Sequence, residues 1–114
     1  MSEAPLLDAA ALDALTGHIG AEAVGAVVEL FLVECRELTA AIAAPGTDRD
    51  AIRRAAHSLK SSAGQLGAMP LSEAAAAVEE AAGTGSPDLP ARIATLTDRA
   101  AGTQTALAER LSTQ

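Results

Sequence analysis

Residues 52–70 read IRRAAHSLKSSAGQLGAMP. Ile52, Ala56, Leu59, Ala63 and Leu66 recur in steps of three and four, the period of one buried helix face. Gly67 then supplies a stop signal, and Pro70 suits the first turn of another helix. The stretch predicts a helix over about 48–67, opened by Thr47 or Asp48, and a second over about 70–83. Only Gly67-Ala68-Met69-Pro70 separates the two, and so short a turn predicts an antiparallel hairpin.

The same reading extends outward. The second helix of the hairpin carries Leu71, Ala74, Ala75 and Val78 and is closed by Gly83-Thr84-Gly85. Upstream, Val24, Val28, Phe31, Cys35, Leu38 and Ile42 make one apolar stripe on a long helix that stops at Pro45-Gly46. Before it, Asp8 is placed as an N-cap with Leu7 and Leu12 as a staple across it, opening a short helix that points Leu12 and Leu15 inward and ends near Gly17 to Gly20. Downstream, Leu89, Ile93, Leu96, Ala100, Thr103, Leu107 and Leu111 mark a last helix. No window alternates with period two long enough for a strand. The expected fold is all-α: an antiparallel four-helix bundle with a short additional N-terminal helix, forming a single domain over residues 1–114.

Composition narrows the function. Phe31 is the only aromatic residue although 49% of the chain is hydrophobic, so the core is built from Leu, Val, Ile and closely packed Ala. The net charge of −7 and the lack of a long basic run argue against nucleic acid and anionic membranes as partners. Cys35 is alone, which excludes a disulfide framework and reads as a small buried hydrophobe. The opening MSEAPLLDAA lacks a basic, then apolar, secretory pattern, and no segment is apolar enough to span a membrane, so a cytoplasmic protein is expected.

On the predicted helix His57 lies about 140° from the core direction, on the outer side. Arg53, Lys60, Ser61 and Gly64 share that side, three or four residues away. An exposed neutral imidazole is nucleophilic at neutral pH without a general base. The flanking cations could stabilise a phosphoryl group on the ring, and the small Ser61 and Gly64 leave room for a second protein. Spacing alone leaves the plain alternative open: a solvated histidine, small residues that serve helix packing, and arginines that pair with Asp48, Asp50 or acidic groups of another helix. His18 reads as a surface or helix-end residue. A His18–His57 metal pair lacks further ligands, so no metal site is expected. The pairs Glu79-Glu80 and Asp48-Asp50 read as solvated faces and helix starts.

The run from Ala56 to Ala68, AHSLKSSAGQLGA, closely resembles the signature of histidine-containing phosphotransfer (HPt) domains, and Leu71, Ala75, Val78 and Glu79 continue the pattern. The likeness extends to the helix order, to Phe31 in the long helix and to the acidic start at Asp8. Ser61 departs from it, standing where the family most often has glycine. The resemblance implies that His57 is phosphorylated and that Lys60 is the cation beside the phosphoryl group; the helical projection puts Arg53, Ser61 and Gly64 at the rim where a partner would approach. It implies a phosphoryl carrier without kinase activity of its own in a multistep two-component relay. The partners would be receiver domains of response regulators and hybrid histidine kinases, which would also bring the Mg²⁺, so no resident cofactor is expected. The alternative is a helical adaptor that is never phosphorylated, or a module that inhibits a kinase by binding it.

Overall fold

The computed structural model describes residues 6–112 and contains five helices. They are α1 (Ala9–Ile19), α2 (Ala21–Ala43), α3 (Arg49–Gln65), α4 (Met69–Thr84) and α5 (Leu89–Ser112). No strand occurs among the described residues. The expected unit of residues 1–114 includes 1–5 and 113–114, which lie outside the described residues, as does the first half of the MSEAPLLDAA stretch.

Local chemistry sets the ends. Asp8 caps α1 by accepting from the amides of Ala10 and Ala11, and Asp48, rather than Thr47, caps α3 by accepting from Ala51 at 2.8 Å. Gly20, with φ +87°, both closes α1 and opens α2. The α3–α4 turn is a Schellman motif: the Ala68 amide donates to the Ala63 carbonyl and the Gly67 amide to that of Gly64. Gly67 takes φ +74° there, and a Cβ on it would fall 2.9 Å from that of Ala11. The Asp8 amide donates to the Gly67 carbonyl at 2.9 Å, so the start of α1 is tied to the hairpin turn.

The bundle closes in the order α2, α3, α4, α5 and back to α2, with α1 laid on α2. Short connections make successive helices antiparallel. One buried cluster fills the middle, led by Leu12, Ile42, Leu59, Leu71, Leu96 and Leu107. Alanine supplies much of the rest: Ala56, Ala63, Ala75 and Ala81 are wholly buried, which lets α3 and α4 approach closely. Cys35 is also wholly buried, and this burial pushes its thiol above the ordinary range. Leu38, Ile93 and Leu111, expected in the core, are only half-buried at its margin. No helix among the described residues is long and apolar enough to cross a membrane.

Candidate functional site

With Ile52, Ala56, Leu59 and Ala63 committed to the core, α3 must turn His57 outward. The imidazole side chain is 59% exposed. Across the hairpin, Glu79 of α4 follows the wholly buried Val78 and lies one turn beyond the wholly buried Ala75. Its carboxylate stands at the edge of the core and meets both α3 residues: Oε2 is 2.8 Å from His57 Nδ1, and Oε1 accepts from Lys60 Nζ at 2.7 Å. Two turns nearer the start of α4, Ser72 Oγ donates to the Lys60 carbonyl at 2.9 Å and fixes the register of the two helices. Gly64 lies beside this contact, where a Cβ would come to ordinary van der Waals distance of Ser72 Oγ, 3.5 Å.

The electrostatics assign the protons. The Lys60 ammonium is the main cause holding the Glu79 carboxyl below its usual range; partial burial opposes it and the His57 bond assists. Glu79 is therefore ionised at neutral pH. An ionised carboxylate can only accept hydrogen bonds, so the bond from His57 is donated by Nδ1–H. In the neutral ring the lone pair then sits on Nε2, the nitrogen facing away from Glu79. A carboxylate that orients an imidazole in this way also offsets any positive charge the ring acquires.

The residues picked out in the sequence sit around this centre in different ways. Arg53 and Ser61 are exposed on the His57 side of α3, but Arg53 pairs with Asp50 at 2.8 Å instead of facing the ring. Lys60 is not a free outward cation: it is half-buried and held by Glu79. The reading of Glu79-Glu80 as a solvated pair holds for Glu80, whose side chain is 73% exposed, and fails for Glu79, whose side chain is 22% exposed. Asp48 and Asp50 do serve the helix start. His18 is exposed in the last turn of α1. Among the described residues no group of three or more His, Cys, Asp or Glu could hold a metal ion.

Further along α3, on the α2 side, lies a groove lined by Leu15, Val27, Leu30, Phe31, Gln65 and Leu66, with Glu34 and Ser62 as its polar members. Gln65 is two helical turns along α3 from His57. Leu30 is 72% exposed and Val27 and Val33 are also exposed, an apolar surface that the chain itself leaves uncovered.

A model of the Hpt domain matches residues 26–112. The chain belongs to the Hpt domain family. Among solved structures, the Hpt fold here superposes on the crystal structure of histidine-containing phosphotransfer protein B (HptB) from Pseudomonas aeruginosa PAO1 with a TM-score of 0.89. The match covers 98% of this chain and 99% of that one at 23% identity, so it speaks for the fold. No curated protein matches the sequence significantly. The expected family and the all-helical fold are thus both found. Glu79, expected on a solvated face beside Glu80 although it falls within the family pattern, carries a local signal for its place at the core edge: it lies four residues from Ala75, a core position.

Proposed function

We propose that this Hpt protein carries a phosphoryl group on His57 Nε2, taking it from the aspartyl phosphate of one receiver domain and giving it to another. The reading rests on one observation: Nδ1 is committed to Glu79 while the ring is well exposed, which leaves Nε2 as the accessible nucleophile. The Nε2 lone pair attacks phosphorus, an N–P bond forms, and the P–O bond to the aspartate breaks to return a free carboxylate. No proton has to leave the ring, because Nδ1 keeps its hydrogen and goes on donating it to Glu79, whose negative charge balances the ring as it becomes cationic. Lys60, which shares Glu79 with the ring, supplies a cation for the phosphoryl oxygens.

The receiver supplies the divalent cation and the acidic pocket that holds it, so the chain needs no cofactor. Ser61 and Gly64 keep the approach to Nε2 low, and the groove along Leu30 and Phe31 receives the apolar part of the docked receiver. Both relay partners, receivers of response regulators and of hybrid kinases, would be met in the cytoplasm. The protein acts as a carrier and not as an ATP-dependent kinase.

The test is the site and atom of the bond. Phosphotransfer from a phosphorylated receiver followed by ³¹P–¹⁵N correlation should place phosphorus on Nε2 of His57. Phosphate on Nδ1, or on another residue, would refute the reading.

A further inference from the structure

Two arginines stand one turn before His57 and share one carboxylate. Arg53 Nη2 donates to Asp50 Oδ1 at 2.8 Å, and Arg54 Nη1 donates to Asp50 Oδ2 at 2.7 Å. At about 100° per residue, Asp50 lies almost directly in line with His57, while Arg53 and Arg54 flank that line on either side. Arg53 is on the α4 side, its Cδ resting 3.6 Å from where a Cβ of Gly83 would be, and Arg54 is on the opposite side. Helical side chains lean toward the helix N-terminus, so the imidazole leans toward the turn from which Arg53 and Arg54 spring, while their guanidiniums reach back one turn further to Asp50. All three partners of this cluster are exposed.

We infer that Arg53 and Arg54 are a tethered pair of phosphate-binding cations that leave Asp50 to engage the phosphoryl group once it is on His57. This rests on the phosphotransfer reading above and adds the residues that hold the product. A phosphohistidine carries close to two negative charges and three strong acceptor oxygens. Lys60 cannot balance that alone, because it also holds Glu79, and Glu79 has to remain on Nδ1. Guanidinium forks match phosphoryl oxygens well, and a dianion outcompetes a single carboxylate for them. Leaving Asp50 costs little, since solvent-exposed ion pairs hold weakly. Asp50, released, sits in the first turn of α3, where the helix N-terminus favours its charge. In the unphosphorylated protein the same tether keeps two long cationic side chains off the ring and the approach open.

The test needs no partner protein. In a His18→Gln background His57 is the single histidine, and phosphoramidate can phosphorylate it: an N–P bond to the ring forms as the donor's P–N bond breaks and ammonia leaves. The phosphoryl group is then titrated by ³¹P NMR in about 0.15 M salt, where the screening length is about 8 Å and distant charges count little. Its second ionisation is expected to fall lower, by about half a unit or more, in the protein with both arginines than in R53Q/R54Q. R53K/R54K should recover most of the difference. Identical titration curves in the parent and R53Q/R54Q would overturn the proposal while leaving His57 as carrier. No N–P resonance from His57 would overturn both.

Discussion

Glu79 Oε2 lies 2.8 Å from His57 Nδ1, joining residues 22 positions apart across the α3–α4 hairpin. The contact turns an exposed imidazole into one with a defined tautomer and a balanced charge. It depends on the hairpin register, which is why the small residues and turn geometry around it matter as much as the two side chains.

Glu79→Gln keeps the size of the side chain and an acceptor for Nδ1–H but removes the charge. Phosphoryl acceptance should fall about tenfold, because a charge-assisted hydrogen bond worth roughly 1.5–3 kcal/mol gives way to a neutral one worth about 1 kcal/mol. Stopped-time phosphotransfer assays measure this, and ¹⁵N shifts of His57 should show the Nε2 lone pair populated less exclusively in Glu79→Ala. Unchanged rates and tautomer would remove Glu79 from the mechanism.

Lys60→Ala should separate chemistry from folding. The Lys60–Glu79 pair is partly exposed, so unfolding free energy should drop by less than about 1 kcal/mol. Phosphohistidine lifetime should shorten several-fold, because the nearest cation is gone. Urea titration and the decay of labelled protein give the two numbers, and an unchanged lifetime would argue that Lys60 serves Glu79 alone.

The pH dependence of stability follows from Glu79. Its folded carboxyl titrates below the ordinary 4.5, mainly through Lys60, so its contribution is fully present above that value. The contribution is lost as pH falls through the lower folded value. The part of the wild-type advantage over Glu79→Gln that comes from this carboxylate should accordingly shrink as pH falls below 4.5. Urea midpoints at a series of pH values check this, and an advantage that grew toward acid would reverse the assignment.

Gly67→Ala should be among the costlier single-methyl additions. The residue sits at φ +74°, and the added Cβ would press on Ala11 at 2.9 Å and Asp8 at 3.1 Å. A loss of about 1–3 kcal/mol is expected, with loosening of the Asp8–Gly67 bond between α1 and the hairpin. Thermal unfolding and amide exchange at Asp8 report the two effects.

The fold was legible because its signals are local. The Ile52-to-Leu66 stripe, Gly67 and Pro70 specify a hairpin without reference to anything distant, and the outward direction of His57 follows from that stripe. The pairing of side chains between helices was less legible. Glu79 beside Glu80 looks like an ordinary acidic pair, and only the crossing of α3 and α4 brings one member to the core edge. Lys60 was placed correctly on the His57 face, but its tie to Glu79 depends on the same crossing. The Asp50 tether of Arg53 and Arg54 is local to α3, yet a choice between Asp48 and Asp50 as their partner required the observed cap, which commits Asp48 to Ala51.

Whether His57 carries the phosphoryl group is decided by transferring radiolabel from a phosphorylated receiver domain to wild type and His57→Gln side by side. Wild type should take up an acid-labile, alkali-stable label and pass it to a second receiver, while His57→Gln takes up none. Equal labelling of the two proteins would contradict the carrier role of His57.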